Sequence, residues 1–382
     1  MLDAALQAIA DEAVERHGVP GAVAAIADRN AASVAVAGER TIGVAPMTRD
    51  TVFRIASVTK PIIAAAAMAL VERGTIRLDA PVADWLPELA ELRVLRHPGG
   101  ELDDTVPAER PVLVEHLLSL RGGLGFTDDM ATPLAEALVQ RLHQGPDTPV
   151  GWPSPDSWLT EAGRLPLAHQ PGDGWTYNTG FDIAGVLLAR AAGRSLGEVL
   201  ADTILDPLGM ADTGFRLRPD QVARTATAYT PRGEGLEPTD EPDGAWTGAI
   251  VFESGSGGLV STADDLLAFG RMLVDGGEGP GGRVLGAASV ARLLAPGEPS
   301  ALDQPFLEGQ SWSLGGSVDV VERRPWEVLG RYGWIGGSGT ALYVYPAAGQ
   351  VAVWLTQREL AGADDAERMV PMLTLAATRA RR

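Results

Sequence analysis

The sequence predicts a discontinuous α/β domain that holds a mostly helical insertion. Segments near both ends of the chain show the continuous or alternating apolar pattern of strands, namely 22–28, 32–38, 340–345 and 351–356. Helical patterns broken by Pro and Gly occupy the middle of the chain: 112–120, 132–142, 181–192 and 196–204. Because strands from both ends can share one sheet, we expect an α/β domain of residues 1–75 and 240–382, with a mostly helical domain, 76–239, inserted in it.

Further helices are predicted beside these strands, at 3–16, 57–73, 263–274 and 364–380. The second of them is rich in alanine and is closed by Gly74, a residue type that favours helix ends. Stretches that carry Pro and Gly are predicted to be surface connections, and they lie at 144–157, 231–246 and 276–283.

The composition limits the classes of function open to the chain. Its 382 residues include no cysteine, which excludes disulfides, thiol nucleophiles and cysteine metal sites. A formal net charge of −19 would repel a phosphate backbone, so we expect no nucleic-acid partner. No spacing of histidines or carboxylates resembles a metal site, and we expect neither a metal nor another cofactor.

The apolar runs are too short to cross a bilayer, so we expect no membrane partner. The first residues are acidic and amphipathic, whereas a secretion signal begins with basic residues and continues with a long apolar stretch. A cytoplasmic location is therefore expected, and the alternative is that a leader segment has been removed from the sequence.

The basic residues are distributed unevenly, with 30 arginines and a single lysine, Lys60. A drift toward arginine codons explains the bias but does not explain why one lysine is kept. Lysine can act as a base in its neutral form, whereas arginine stays protonated in proteins. Lys60 is therefore a candidate catalytic residue. The alternative is that this lysine remains by chance and has no function.

Ser57 lies three residues before Lys60, in the segment Arg54-Ile-Ala-Ser57-Val-Thr-Lys60-Pro-Ile. Residues three apart on a helix share one face, so the hydroxyl and the amine can meet. Ser57 is expected at the helix N-terminus, where unpaired N–H groups can donate to a developing oxyanion and disfavour a charged ammonium. The pair therefore predicts a nucleophile with its base, and the alternative is a serine cap followed by a solvated lysine.

This segment resembles the S-x-x-K motif of serine β-lactamases and penicillin-binding proteins. The amino-acid sequence of this segment is similar to that of the class C β-lactamase-related group and, within it, to that of the family VIII carboxylesterases. The likeness continues through Leu78-Asp-Ala-Pro-Val-Ala-Asp-Trp, Asp206-Pro-Leu-Gly-Met and Gly257-Gly-Leu-Val-Ser-Thr. It implies a β-lactamase/transpeptidase-like fold, with an antiparallel sheet flanked by helices and a mostly helical second domain. One departure is Leu120-Arg-Gly-Gly-Leu, where relatives often carry His-Thr-Ser-Gly-Leu.

A second motif places Tyr177 between a Pro-Gly turn and a helix, where its phenol can shuttle a proton for the serine. The resemblance implies Tyr-x-Asn here, but Asn178 directly follows Tyr177 and Thr179 stands at the expected asparagine position. If Asn178 were aligned instead, Thr176 would take the place of the tyrosine. We expect Tyr177 to be the catalytic residue and Asn178 to lie in the binding site, and an aromatic plug beneath the helix is the alternative.

A third motif, Trp334-Ile-Gly336-Gly337, precedes a predicted strand. Relatives carry Lys-x-Gly, His-x-Gly or, in some esterases, Trp-x-Gly on an edge strand beside the serine. By this resemblance the N–H groups of Gly337 and Ser57 hold the oxyanion, and Gly336 lies in the substrate site. Because Trp334 offers an apolar wall where a lysine would hold a carboxylate, neutral esters are favoured over penicillins and D-Ala-D-Ala peptides.

The sequence also contains a formal G-x-S-x-G motif around Ser195. That motif requires a strand before the serine and a later histidine, whereas a helical pattern precedes Ser195 and every histidine comes before it. We expect Ser195 to cap a helix. His116 is expected to be structural.

Together these features predict a serine hydrolase that cleaves short-chain carboxylic esters through an acyl-enzyme on Ser57. Its partner would be a small-molecule ester. Alternatives within the fold are a β-lactamase, a DD-peptidase, a D-amino-acid amidase or an acyltransferase. A non-catalytic scaffold is the alternative outside enzymes.

Overall fold

A computed structural model describes residues 2–145, 149–298, 307 and 309–382, with the backbone alone at 363 and 364. Its α-helical segments are α1 (Leu2–Arg16), α2 (Thr59–Glu72), α3 (Val114–Leu118), α4 (Pro133–Leu142), α5 (Pro155–Ala162), α6 (Thr179–Ala192), α7 (Leu196–Leu200), α8 (Asp206–Leu208), α9 (Pro219–Val222), α10 (Ala263–Val274), α11 (Ala287–Leu294) and α12 (Val370–Ala380). Its strands are β1 (Gly21–Ala27), β2 (Ala32–Thr41), β3 (Ala45–Pro46), β4 (Phe53–Arg54), β5 (Arg93–Leu95), β6 (Thr105–Pro107), β7 (Ala228–Arg232), β8 (Gly235–Asp240), β9 (Val260–Ser261), β10 (Glu278–Gly279), β11 (Gly282–Arg283), β12 (Ser311–Trp312), β13 (Ser317–Val318), β14 (Tyr332–Gly336), β15 (Thr340–Tyr345) and β16 (Gln350–Thr356).

Within the described residues, the largest sheet has eight antiparallel strands in the order β12-β13-β14-β15-β16-β1-β2-β3. β1 pairs with both β16 and β2, so strands from the two ends of the chain lie side by side. The predicted α/β architecture with an antiparallel sheet is therefore confirmed.

Both faces of this sheet are covered by helices. Val23 and Ala25 of β1 pack into the larger apolar cluster, whereas Ala24 and Ile26 pack into a second cluster that includes Leu6 of α1 and residues of α12. Because successive side chains of a strand point to opposite faces, a strand buried on both faces reads as a continuous apolar run. This explains why the pattern of β1 in the sequence is apolar throughout.

Helices α3 to α9 lie in the middle of the chain, where a mostly helical segment was predicted, together with the short strands β5 to β8. The larger cluster includes Leu138 and Leu187 from this middle part together with Ile62 and Phe269 from the α/β part. The domain limits at 76 and 239 stay a prediction, since one cluster draws on both segments. Among the described residues, no helix is long and apolar enough to cross a membrane.

Several predicted boundaries were wrong. The helix predicted from residue 57 begins at Thr59, and Ser57 lies in a 3-10 turn that leads into it. The helix predicted over 196–204 changes to a π-helical turn after Leu200. The helix predicted over 364–380 is a 3-10 segment up to Met369, before α12 begins.

The predicted surface connections also contain regular structure. The stretch 231–246 includes most of the β7–β8 hairpin, and 276–283 includes the β10–β11 pair. The stretch 144–157 includes the start of α5, and Gln144 in it is buried, while 146–148 lies outside the described residues. A tight hairpin turn and a loop are both rich in Gly and Pro, so these residue types alone do not distinguish the two.

The buried carboxyl of Asp265, near the start of α10, predicts a pH dependence of stability. Burial is the largest of the effects that raise its pKa to about 6. The folded state therefore holds this proton more tightly than the unfolded state, so the stabilisation is present below about pH 4 and is lost as the pH rises to about 6. Asp265→Asn should remove this contribution, because an amide oxygen can still accept from Thr213 Oγ1 and Asp212 N–H, each now 2.8 Å away. Urea unfolding at pH values from 4 to 7 should show that the free energy of unfolding of the variant increases relative to that of the wild type as the pH rises. The same pH dependence in both proteins would contradict this.

Candidate active site

Ser57 is presented by a strained turn at the start of α2. The preceding residue, Ala56, has a left-handed φ of +44°, a conformation that costs energy for a residue with a side chain and is found where function requires it. The turn is tied to the β14–β15 connection, because Ser338 Oγ donates to Arg54 O at 2.6 Å and Thr340 Oγ1 donates to Ile55 O at 2.9 Å. The ends of the inner strands β14 and β15, and not an edge strand, therefore fix the position of Ser57.

Lys60 lies one helical turn after Ser57 and is completely buried. Its Nζ donates to Ser57 Oγ at 2.7 Å, to Asn178 Oδ1 at 2.8 Å and to the backbone oxygen of Ser256 at 2.7 Å. Three acceptors match the three donors of an ammonium group. In the neutral form the nitrogen lone pair can accept the proton of Ser57. The alternative of a solvated lysine is inconsistent with this burial.

Tyr177 lies on the other side of Ser57. Its phenol donates to Ser57 Oγ at 2.9 Å and accepts from the indole N–H of Trp334 at 2.8 Å. Because an indole N–H can only donate, the phenol oxygen acts as acceptor toward Trp334 and its own proton is directed at Ser57. Lys60 Nζ lies 4.6 Å from the centre of the Tyr177 ring, a distance typical of a cation–π contact.

Asn178 also reaches the site, although it directly follows Tyr177. Its φ of +80° and ψ of −71°, together with a 3.2 Å hydrogen bond from Thr179 N–H to Tyr177 O, describe a γ-turn of the strained kind. This turn lets two adjacent side chains approach Ser57 and Lys60. Tyr177 rather than Thr176 contacts Ser57, and Thr176 is buried beside it.

A network of polar residues that sequence reasoning did not predict lies behind Asn178. Asp182 is completely buried, and its carboxylate accepts from Gln144 Nε2 at 2.7 Å, Ser254 Oγ at 2.7 Å and the Ser256 N–H at 3.1 Å. Burial raises the pKa of Asp182, while these donors act in the opposite direction. Because Gln144 directs its amide nitrogen to this carboxylate, its oxygen faces Asn178 Nδ2 at 2.8 Å.

This network determines what Lys60 contacts. Since Asn178 directs its nitrogen to Gln144, its oxygen must face Lys60. Asp182 holds the backbone of Ser256, whose oxygen is another acceptor for Lys60. One buried carboxylate therefore orients two of the three acceptors of the lysine.

Aromatic rings form the wall beside Tyr177. The Trp334 and Trp312 rings meet edge to face with centroids 4.7 Å apart, and Tyr177 lies edge-on to Trp312 at 6.3 Å. Trp334 thus combines the predicted apolar wall with a hydrogen bond to the phenol. Trp312, on β12, was not singled out from the sequence.

Gly336 ends strand β14 next to the Ser57 turn, and Gly337 directly follows it. A Cβ on Gly336 would lie 2.4 Å from Ile55 O, so only glycine fits there. Gly337 is exposed and borders a cavity of about 250 Å³, here called the Gly337 cavity, which is lined in part by Arg54, Gly337, Ser338, Gln357 and Glu359. The predicted oxyanion donors, the N–H groups of Ser57 and Gly337, therefore lie on adjoining segments.

Ser195 caps α7, where its hydroxyl accepts from Glu198 N–H, which confirms the expected structural role. His116 Nδ1 accepts from Leu113 N–H, and burial is the main reason why its pKa falls to about 4. Over the described residues, no group of three His, Asp or Glu side chains could hold a metal ion.

We expect Tyr177→Phe to reduce kcat/KM for an ester by about 10²-fold, because a positioned acid typically contributes 10²–10⁴-fold. The ring packing stays, so the free energy of unfolding should change by only about 1–3 kcal/mol, the value of the two hydrogen bonds of the phenol. Tyr229→Phe is the matched control, since its hydroxyl binds Ile42 N–H instead of Ser57. Steady-state kinetics of both variants test this, and more than half of the activity left in Tyr177→Phe would exclude the role of the phenol.

Comparisons with known proteins identify the family and the fold of the chain. The beta-lactamase family model matches residues 6–374. The chain is 38% identical over 324 residues to an uncharacterised protein of Mycobacterium tuberculosis, covering 82% of this chain and 79% of that protein. It is 34% identical over 286 residues to esterase EstB of Burkholderia gladioli, covering 70% of this chain and 68% of that protein. Among solved structures, it is similar to EstCE1, a hydrolase with promiscuous acyltransferase activity, with a TM-score of 0.81 at 25% identity over 99% of this chain and 98% of that one. The predicted β-lactamase-like fold is thus confirmed.

Proposed function

We propose that this chain, which belongs to the beta-lactamase family of serine hydrolases, cleaves short-chain carboxylic esters through an acyl-enzyme on Ser57. One observation carries the proposal: Ser57 Oγ lies 2.7 Å from Lys60 Nζ and 2.9 Å from Tyr177 OH. A hydroxyl in contact with one base and one acid is the arrangement that nucleophilic catalysis requires. The proposed partner is a small-molecule ester met in the cytoplasm, with neither a nucleic acid nor a membrane involved.

In the first half of the reaction, neutral Lys60 takes the proton of Ser57, whose oxygen attacks the ester carbonyl. The N–H groups of Ser57 and Gly337 hold the oxyanion of the tetrahedral intermediate. As the bond to the alcohol breaks, Tyr177 gives its proton to the departing alkoxide. The indole N–H of Trp334, 2.8 Å from the phenol oxygen, stabilises the phenolate that remains.

In the second half, water attacks the acyl-enzyme and gives a proton to the Tyr177 phenolate. The intermediate then collapses, and protonated Lys60 returns its proton to the Ser57 oxygen. Every group ends in its starting protonation state. An alcohol could replace water in this step, which makes acyl transfer the second candidate, and the promiscuous activity of EstCE1 supports it.

The choice of esters rests on the side chain at residue 334. Trp334 packs against Trp312 and donates to Tyr177, so an aromatic ring stands where a cation would hold a substrate carboxylate. This favours esters without a carboxylate over β-lactams and D-Ala-D-Ala peptides, as the family VIII carboxylesterases would lead us to expect. The similarity to an esterase of Burkholderia gladioli supports the same choice.

Turnover of p-nitrophenyl butyrate and of nitrocefin, measured side by side on the wild type and Ser57→Ala, tests the proposal. Fast hydrolysis of the ester, slow hydrolysis of nitrocefin and loss of both in Ser57→Ala are expected. Added n-butanol, with butyl butyrate as the measured product, tests acyl transfer. Ester turnover that persists in Ser57→Ala would refute the proposal, and faster turnover of nitrocefin than of the ester would make the protein a β-lactamase.

A further inference from the structure

The wall of the Gly337 cavity carries the carboxylate of Glu359. The backbone on both sides of this residue is held in place, since Leu360 N–H donates to Gly337 O at 2.8 Å and Glu359 N–H donates to Tyr229 O at 2.8 Å. One oxygen of the carboxylate accepts from Thr239 Oγ1 at 3.2 Å. Glu359 thus directly precedes Leu360, which contacts Gly337, the residue whose N–H is proposed to bind the oxyanion.

Arg54 and the carboxylates that act on it carry a net negative charge. Arg54, also on the wall, is buried and forms an ion pair with Asp240. Its guanidinium also donates to the backbone oxygens of Ala226 at 2.6 Å and Glu241 at 3.0 Å. Asp240, Glu241 and Glu359 all act on the charge of Arg54, so three carboxylates face one guanidinium and a net negative charge remains.

The carboxylates of Glu241 and Glu359 have polar but uncharged partners. Glu241 accepts from Thr227 Oγ1 at 3.0 Å, and Glu359 accepts from Thr239 Oγ1. In the part of the chain that the structure describes, neither forms an ion pair within 4.0 Å. A positive group in the cavity would therefore meet uncompensated negative charge, and a substrate carboxylate would be repelled.

We infer that the Gly337 cavity selects esters that carry a positive charge, such as a quaternary ammonium, and that Glu359 sets this preference. The inference rests on the proposed ester hydrolysis and adds the charge class of the substrate to it. A quaternary ammonium suits such a wall because it is attracted by charge and requires no hydrogen-bond acceptor. The effect should weaken with added salt, since the wall is only partly shielded from solvent.

Isosteric ester pairs test the preference, because a trimethylammonium group and a tert-butyl group have nearly the same shape. Choline butyrate against 3,3-dimethylbutyl butyrate places the charge on the alcohol side. The p-nitrophenyl esters of 4-(trimethylammonio)butyrate and 5,5-dimethylhexanoate place it on the acyl side. We expect kcat/KM to favour the cation about tenfold in at least one pair, as unit charges several ångströms apart at a partly buried site imply.

Glu359→Gln should reduce this ratio to about one while it keeps the size of the side chain. Glu237→Gln is the matched control: Glu237 lies on the β7–β8 hairpin that also carries Thr239, the partner of Glu359, but Glu237 is exposed and close to Arg232, so the ratio should not change. This control separates the local charge from the net charge of −19. A ratio of one or less in both pairs, or an unchanged ratio in Glu359→Gln, would overturn the inference.

Equilibrium binding separates this inference from the proposed function. Calorimetric titration of Ser57→Ala with choline butyrate and its neutral isostere requires no turnover, and we expect the cation to bind about tenfold more tightly. If the wild type hydrolyses none of the four esters but the cation preference in binding persists and depends on Glu359, the proposed function fails and the charge preference stands. If hydrolysis depends on Ser57 but both isosteres bind equally, the proposed function stands and the charge preference fails.

Discussion

Substitution of Ser57 or Lys60 is expected to reduce kcat/KM for p-nitrophenyl butyrate by about 10⁴-fold or more, because nucleophile and base act as a unit. Ser57→Ala removes the attacking oxygen. Lys60→Met keeps the apolar stem but removes the amine, and Lys60→Arg keeps a cation that cannot act as a base. The double variant Ser57→Ala/Lys60→Met should be no slower than either single variant, since both changes stop the same step.

The stability of these variants distinguishes chemistry from folding. Lys60→Met leaves the oxygens of Asn178 and Ser256 without their donor, which should cost about 1–3 kcal/mol of the free energy of unfolding for each buried group. Ser57→Ala removes a half-buried hydroxyl and should cost about 1 kcal/mol. Activity is therefore compared at a temperature where circular dichroism shows each variant folded. More than a tenth of the wild-type activity in Lys60→Arg would contradict the role of Lys60 as base.

Asp182→Asn is expected to have the largest effect on stability, about 3–5 kcal/mol, because it breaks a fully buried polar network. The asparagine nitrogen would face either Gln144 Nε2 or the N–H of Ser256, so two hydrogen-bond donors would face each other without an acceptor. If Gln144 rotates to avoid this, its nitrogen faces Asn178, and the Asn178 oxygen turns away from Lys60. We therefore also expect kcat to fall by about 10–100-fold while KM changes little, as is expected when the lost interaction is made only in the transition state.

A charge swap provides the control for this prediction. In Asp182→Asn/Gln144→Glu, the carboxylate at residue 144 can accept from the new asparagine and from Asn178 Nδ2, so the oxygen of Asn178 faces Lys60 again. Stability by urea unfolding and kcat should both recover part of their loss relative to Asp182→Asn, with a favourable coupling energy. A double variant whose losses equal the sum of the single losses would show that the network does not orient Lys60.

The local parts of the site were predictable from the sequence. Ser57 and Lys60 are three residues apart, and helical spacing alone brings them together. The absence of other lysines made Lys60 stand out, and the Trp-x-Gly segment identified Trp334. The strands at both ends of the chain are predictable because burial on both faces leaves a continuous apolar run, as in β1.

The long-range parts of the site could not be predicted in this way. The contact between Lys60 and Ser256 joins residues 196 positions apart, and Gln144 falls in a predicted surface connection because Gly and Pro follow it. The γ-turn at Asn178 has no sequence signal beyond the tolerance of asparagine for positive φ. That turn resolves the apparent displacement of the asparagine, since Tyr177 and Asn178 both contact the Ser57–Lys60 pair.

The central claim is that Ser57 carries the acyl group during turnover. Acid quenching of the reaction with p-nitrophenyl butyrate, followed by intact-mass and peptide analysis, tests it most directly. One added butyryl group, located on the peptide that contains Ser57 and absent from Ser57→Ala, is the result that the structure predicts. A butyryl group on another residue such as Ser195, or hydrolysis by Ser57→Ala at the wild-type rate, would contradict it.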